Sequence, residues 1–195
     1  MRNYAEMRKD IFVNSKLHWF SAPTPKHVVH FYPHETDLFA SLNQYIGAGL
    51  VKGETCIVVA TGDHLRHLDV WLASNSIDIT LARKTGQYVT LDATRTLSSF
   101  MEGDLPDRDR FFEVVGSAVA KAAAKGQPIR AFGEMVALLW KDGNKDAVIR
   151  LETLWNGLAE VYTISLYCAY PDLHFIMDKD ARSEIRTCHN VQLQR

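Results

Sequence analysis

Two patterns of hydrophobic residues alternate along the chain. Short runs rich in β-branched residues, typical of buried strands, are separated by stretches with apolar residues at helical spacing. The runs predict strands at 27–32, 55–60, 88–91, 128–132 and 163–170. The second run, TCIVVA, is apolar throughout, as expected for a strand of a parallel sheet whose two faces are both covered. The alternation therefore predicts an α/β domain with a mainly parallel sheet flanked by helices.

The segments between the predicted strands carry helix start and stop signals. The first helix is expected to end at Gly53, Asp63 is expected to cap the next helix, and Asp92 or Thr94 is expected to open the one after the third strand. Residues 107–125 predict an alanine-rich helix, and the polar segment 178–195 predicts a terminal helix with a loose end.

The chain divides into a short lead-in and one domain. Residues 1–25 carry scattered apolar residues and two prolines, and they predict a short helix followed by an extended segment. Residues 26–195 contain no linker, repeat or low-complexity stretch. We therefore expect them to form a single domain.

Composition and charge exclude several classes of protein. The chain has 195 residues, a hydrophobic fraction of 47% and a net charge of −1, so a role in direct nucleic-acid binding is not expected. The cysteines Cys56, Cys168 and Cys188 are widely spaced, which argues against a disulfide scaffold and fits a reducing compartment. The charged N-terminus resembles neither a signal peptide nor a membrane span. The cytoplasm is the expected location, without membrane attachment.

The connection after the first predicted strand lacks phosphate-binding chemistry. A nucleotide hydrolase would place its phosphate loop there, but Pro33–Asp37 contains no glycine and no Lys-Ser/Thr pair, and it is acidic. The chain also contains no GxGxxG and no GxSxG motif. The sequence therefore predicts a protein that is not an enzyme, without ATP or another cofactor, although an unidentified small ligand stays open.

Candidate chemistry is expected where the strands end, since ligands of open parallel sheets bind outside the carboxyl ends of the strands. Glu134 is the sharpest candidate, because it stands between a predicted buried strand and an apolar helix. A carboxylate in that position must be solvated, paired or protonated. A ligand contact and a structural hydrogen bond are equally favoured.

A metal site is not expected from the spacing of the candidate ligands. His27 and His30 lie on opposite faces of one predicted strand and cannot chelate one ion together. A histidine with Glu134 and Cys168 would form a mixed site if their strands were neighbours, but structural histidines are the favoured interpretation. Cys168 alone is interpreted as a small buried residue rather than a nucleophile.

The chain resembles the MEDS domain, the sensory domain shared by the DcmR regulator and many bacterial and archaeal signalling proteins. The likeness runs from His27 to His189 and is carried by the order and spacing of several segments rather than by one motif. These are HVVHFY (27–32), FASLNQYIGAGLVKGETCIVVAT (39–61), YVTLDA (88–93), IRAFGEMVALLW (129–140), GNKDAVIRLETLWNGL (143–158), SLYCAYP (165–171) and CHN (188–190).

The resemblance implies a three-layer RecA-like fold, related to the RecA/KaiC ATPases but without a functional phosphate loop. It also implies the sensing of small molecules, among them hydrocarbon derivatives. By position it implies seven candidate ligand-binding residues, namely His27, Tyr32, Glu134, Glu152, Cys168, Tyr170 and His189. Val29 replaces a cysteine of some members and Asn190 a serine of many, which weakens a thiol-based mechanism of sensing.

The leading hypothesis is a non-catalytic sensory domain that binds a small molecule at the carboxyl ends of the strands. It would relay binding to a histidine kinase, a regulator or another signalling protein. Since no output domain is recognised after the sensory region, we expect a stand-alone regulator or the input part of a longer protein. The alternatives are a ligand-free interaction module, including a homo-oligomer, and a residual nucleotide-binding protein.

Overall fold

The structure is a computed structural model that describes residues 27–172 and 179–193. The predicted helix and extended segment at 1–25 lie outside the described residues. The remaining predictions for strands and helices fall largely within them.

A six-stranded parallel sheet forms the centre of the domain. Its order is β3-β2-β6-β7-β1-β8, and a separate antiparallel hairpin pairs β4 with β5. The strands are β1 (His27–Tyr32), β2 (Thr55–Ala60), β3 (Tyr88–Asp92), β4 (Met101–Glu102), β5 (Leu105–Pro106), β6 (Ile129–Gly133), β7 (Ile164–Pro171) and β8 (Val191–Leu193).

Helices cover both faces of the sheet, which confirms the predicted three-layer α/β class. One face carries α1 (Glu35–Val51), α2 (Gly62–Ser74) and α3 (Ile79–Lys84). The other face, which we call the α8 face, carries α4 (Ala93–Phe100), α5 (Arg108–Phe111), a π-helical segment (Phe112–Gly116), α6 (Ser117–Ala123), α7 (Met135–Lys141), α8 (Lys145–Val161) and α9 (Lys179–Thr187).

The sheet separates two hydrophobic cores. Because successive side chains of a strand point to opposite faces, Val28 packs beneath α1 while its neighbour Val29 packs on the α8 face. This two-sided burial explains why β2 shows no alternation of polar and apolar residues, with all six positions buried.

The five predicted strands are present, and the strands that were missed are short. β8 spans three residues of the polar C-terminal segment and pairs with β1 along the edge of the sheet. It was missed because its sequence carries no apolar run and its position depends on the partner strand. The hairpin of β4 and β5 has two residues in each strand, too few to produce a period-two pattern.

Two of the three predicted helix-end signals are confirmed and one is wrong. Gly53 follows α1 with φ of +79°, a conformation that favours glycine, and Asp92 caps α4 by accepting a hydrogen bond from the Arg95 backbone N–H at 2.9 Å. Asp63 is not the N-cap of α2. Thr61 occupies that position, and Asp63 lies in the first turn, where its charge favours the positive end of the helix.

Arg130 of β6 carries a positive charge beneath α1 and is only 5% exposed. Its guanidinium pairs with the carboxylate of Glu54 and donates to the backbone carbonyl of Tyr45 at 3.1 Å. Gly49 of α1 leaves room for the Arg130 side chain, since a Cβ at that position would lie 2.7 Å from the Cys56 sulfur and 2.8 Å from the Arg130 Cδ. The contact between α1 and the sheet therefore requires glycine at this position.

Gly49→Ala is expected to destabilise the domain, and Gly157→Ala is its matched control. Both substitutions add a methyl group to a helix, but the new Cβ at Gly157 would contact only the Phe112 ring at 3.5 Å, an ordinary contact. Overpacking should make Gly49→Ala about 1–3 kcal/mol less stable than Gly157→Ala in urea unfolding. Equal free energies of unfolding would show that α1 does not pack tightly at Gly49.

Candidate functional site

Five of the seven candidate residues gather in one buried group on the α8 face, here called the Glu152 cluster. They are His27, Glu152, Cys168, Tyr170 and His189. Positions His27, Cys168 and Tyr170 lie on neighbouring strands β1 and β7 and point to the face covered by α8. Glu152 contacts them from α8, and His189 lies in the segment between α9 and β8.

Glu152 lies at the centre of this cluster and is fully buried. One of its oxygens, Oε2, lies 3.2 Å from His27 Nε2 and 3.4 Å from the Cys168 sulfur. The other, Oε1, lies 3.3 Å from His189 Nε2 and accepts a hydrogen bond from the Tyr170 hydroxyl. Each carboxylate oxygen therefore has two polar neighbours, as a buried charge requires.

Both histidines are oriented by acceptors on the far side of their rings. His27 Nδ1 lies 2.8 Å from the Asn156 side-chain oxygen, and the amide nitrogen of Asn156 donates to the Cys188 carbonyl at 3.0 Å. His189 Nδ1 lies 2.7 Å from the carbonyl of Ile185. Since those oxygens only accept, both Nδ1 atoms carry a proton and both Nε2 atoms face Glu152.

A pair of hydrogen bonds positions the C-terminal segment against β1. The His27 backbone N–H donates to the Asn190 side-chain oxygen at 2.8 Å, and the Asn190 backbone N–H donates to the His27 carbonyl at 2.9 Å. This contact places the His189 ring 4.0 Å from that of His27, measured between ring centroids. Asn190 thus has a positioning role.

Electrostatics favour a charged carboxylate in the Glu152 cluster. Burial alone raises the pKa of Glu152, but His189 and then His27 outweigh it and hold that pKa far below the usual 4.5. Burial lowers the pKa of His189, while the adjacent Glu152 raises it to a net value above 6.5. Burial, together with Glu152, raises the pKa of both Cys168 and Tyr170. Cys168 is therefore a protonated thiol in this arrangement, in agreement with its interpretation as a buried residue rather than a nucleophile.

The cluster also brings together a set of metal-binding atoms. One ligand atom from each of His27, Glu152, Cys168 and His189 lies within 4.8 Å of the others. A mixed site of a histidine with Glu134 and Cys168 was the disfavoured interpretation of the sequence. The structure places Glu152 rather than Glu134 beside Cys168, because Glu134 follows β6 at the edge of the sheet while Glu152 of α8 lies over the strands. Spacing could not reveal the set, since His27 and His189 are joined only by tertiary packing.

The remaining two candidates, Tyr32 and Glu134, lie at the carboxyl edge of the sheet. Glu134 is 2% exposed and accepts a hydrogen bond from the Thr61 backbone N–H at 2.8 Å. His64 Nδ1 lies 3.0 Å from the other carboxylate oxygen of Glu134. Burial and then the charges of Glu134 and Glu35 raise the pKa of Tyr32. Tyr32, Glu134, Thr61 and His64 are called the carboxyl-edge group below.

The seven candidate residues therefore form two separate groups instead of the single expected pocket. Tyr32 points to the α1 side of the sheet, whereas Cys168 and Tyr170 point to the α8 face. The sequence analysis did not single out His64 or Thr61. Their positions in the sequence could have indicated them. Thr61 and His64 follow the carboxyl end of β2, and β2 pairs with β6, the strand that Glu134 follows.

The carboxyl-edge group lies where the chain turns to opposite sides of the sheet. After β2 the chain enters α2 on one face, and after the neighbouring β6 it enters α7 on the other. Such a topological switch point opens a crevice at the strand ends, and this is where α/β proteins bind ligands. Glu134 and Thr61 lie at this switch point, joined by a hydrogen bond.

A surface depression lies away from both groups. It has a volume of about 900 Å³ and lies between α4, the β4–β5 hairpin and the start of α8. Its polar lining is acidic, with Asp104, Asp142 and Asp146, and it includes none of the seven candidate residues. Both groups of candidate residues therefore lie outside this depression.

Residues 26–190 match the family described as MEDS, MEthanogen/methylotroph, DcmR Sensory domain. The chain belongs to the MEDS family. This confirms the resemblance, and both groups of candidate residues lie within the matched range of the MEDS domain. A comparison with curated protein sequences returned no match. Among the described helices, none is long and apolar enough to cross a membrane.

The His64–Glu134 pair predicts a pH-dependent stability of the MEDS domain. The contact with Glu134 raises the pKa of His64 above 6.5. Burial opposes ionisation of Glu134, but His64 and Thr61 hold its pKa below 4.5. The pair therefore stabilises the fold fully between about pH 4.5 and 6.5, and its contribution is lost as the pH rises through the raised pKa of His64.

We expect His64→Gln to cost more free energy of unfolding at about pH 5.5 than at about pH 8, as measured by urea unfolding. The control is His67→Gln, at an exposed histidine on the same helix. Its cost in free energy of unfolding should be the same at both pH values. A cost of His64→Gln that does not change over this range would contradict the ion pair.

Proposed function

We propose that this MEDS domain is a non-catalytic sensor that binds a small molecule at the carboxyl edge of the sheet and relays binding to a regulatory protein. Membership of a sensory-domain family supports the sensing role. The observation that carries the location is the buried Glu134 carboxylate at the switch point between β2 and β6. A charged group in a crevice of this type is a recurrent ligand-binding feature.

The charge of the crevice indicates the class of ligand. Glu134 lies at the strand ends, while Glu35 lies at the start of α1, with its carboxylate 3.9 Å from His64 Nε2. Asp37 adds negative charge in the first turn of α1, whereas Asp63 of α2 is paired with Arg66. Carboxylates at these positions repel phosphate and other anions. The fitting ligand is a small neutral or cationic molecule with a hydrogen-bond donor for Glu134.

The connection between β1 and α1 supports a function without phosphate chemistry. Only Pro33 and His34 separate the two elements. Two residues are too few to form the glycine-rich loop that wraps a phosphate with backbone N–H groups. The proposal therefore assigns the crevice to recognition rather than to nucleotide hydrolysis.

The relay would pass through α2, because the same residue contacts the crevice and begins the helix. His64 lies in the first turn of α2 and pairs with Glu134, so a ligand that takes its place on the carboxylate displaces that turn. α2 packs on α1, and its outer surface includes Val70, which is 67% exposed. A partner that binds this surface would prefer one of two positions of α2, the one with His64 on Glu134 or the one displaced by the ligand.

A thermal-shift screen tests the proposal. It would compare short-chain alcohols, amides and amines with phosphorylated compounds, using the wild type, Glu134→Gln and the exposed control Glu160→Gln. A ligand at about 100 times its Kd stabilises a protein by about 2.7 kcal/mol, which is a readily measured rise in Tm. We expect neutral or cationic compounds to stabilise the wild type and the control but not Glu134→Gln.

Two outcomes would overturn the assignment. One is a screen in which no compound raises the Tm of the wild type. The other is a compound that stabilises Glu134→Gln as much as Glu160→Gln, which would place binding away from the carboxyl edge.

A further inference from the structure

We propose that the Glu152 cluster is a binding site for one zinc ion, held by Nε2 of His27, Nε2 of His189, the Glu152 carboxylate and the Cys168 sulfur. This site lies on the α8 face, apart from the carboxyl edge. The inference goes beyond small-molecule sensing and does not depend on it.

The orientation of the two histidines is the first support. Each ring donates its Nδ1 proton to a fixed acceptor, the Asn156 side-chain oxygen for His27 and the Ile185 carbonyl for His189. In the neutral ring, each Nε2 then presents a lone pair towards Glu152. Histidines that bind metals are held in this way, with the second nitrogen bonded to an amide or carbonyl oxygen.

The ligand atoms lie within 4.8 Å of one another, and several of their separations match those of a tetrahedral centre. His27 Nε2, Cys168 Sγ and Glu152 Oε2 are separated by 3.2, 3.4 and 3.4 Å, and His189 Nε2 lies 3.3 Å from Glu152 Oε1. Ligands bonded to one tetrahedral zinc at the usual lengths lie about 3.3–3.6 Å apart. The side chains are therefore already spaced to surround one ion.

The charge balance of the buried site favours a divalent ion that takes a thiolate. Zinc with one carboxylate, one thiolate and two neutral imidazoles has no net charge, which suits a site in which the side chains of His27, Glu152 and His189 are 0–2% exposed. Magnesium and calcium prefer oxygen ligands, whereas a mixed set of nitrogen, sulfur and oxygen is typical of zinc. On binding, the ion would displace the proton of the Cys168 thiol and the proton on His189 Nε2.

The surrounding residues complete a closed site. The Tyr170 hydroxyl donates to Glu152 and orients the carboxylate, while Asn156 fixes the ring of His27. Four protein ligands leave no open coordination position, which is the arrangement of structural rather than catalytic zinc. The ion would join β1, β7 and α8 to the segment that leads into β8.

The test uses the full chain, stripped of metal with a chelator and then dialysed against zinc or cobalt. Metal content is measured by mass spectrometry, and the cobalt form is examined by absorption spectroscopy. We expect one zinc per wild-type chain, a cobalt spectrum typical of four-coordinate geometry, and a thiolate-to-cobalt charge-transfer band.

Matched variants separate this site from adventitious binding. Cys168→Ser should lose the charge-transfer band and bind zinc about tenfold or more weakly, while Cys56→Ser, at a buried cysteine on the other face, should behave as the wild type. His189→Gln and the control His30→Gln, on the opposite face of β1, repeat the comparison without changing a thiol. Circular dichroism verifies folding of each variant.

A wild-type chain that takes up no stoichiometric zinc would overturn the proposal. So would equal zinc binding by Cys168→Ser and Cys56→Ser. Since the readout is metal content and not signalling, either result leaves the proposed small-molecule site at Glu134 unaffected.

Discussion

A carboxylate with no access to solvent must be neutralised by its neighbours, and the arrangement around Glu152 follows from this requirement. Glu152 is fixed on α8, which packs on the α8 face of the sheet. The partners must therefore come from the strands below and from the C-terminal segment. His27, Cys168 and Tyr170 meet the requirement from the strands, and His189 meets it from the segment before β8.

The same requirement explains why a short polar strand is part of the fold. β8 pairs only three residues with β1, and Asn190 fixes its approach by bonding both backbone groups of His27. These contacts are what place His189 against Glu152. The C-terminal segment is therefore attached to the domain through the cluster as much as through the edge of the sheet, so packing and chemistry depend on the same residues.

The sequence predicted the layers of the domain better than it predicted the chemistry. Runs such as TCIVVA are apolar on both faces, so the sheet and its two helical layers follow from local patterns. The positions of Glu152 and His189 follow from α8 lying over β7 and from β8 pairing with β1, which no local pattern reveals. Family resemblance named these residues, but only the structure separates them from Tyr32 and Glu134.

Zinc X-ray absorption spectroscopy of the metal-loaded chain tests most directly whether the atoms around Glu152 form a coordination site. We expect a four-coordinate ion with one sulfur at about 2.3 Å and three nitrogen or oxygen ligands at about 2.0–2.2 Å. The sulfur contribution should disappear in Cys168→Ser and persist in Cys56→Ser. A six-coordinate shell of oxygen and nitrogen without sulfur would contradict the account, because the ion would then lie outside the Glu152 cluster.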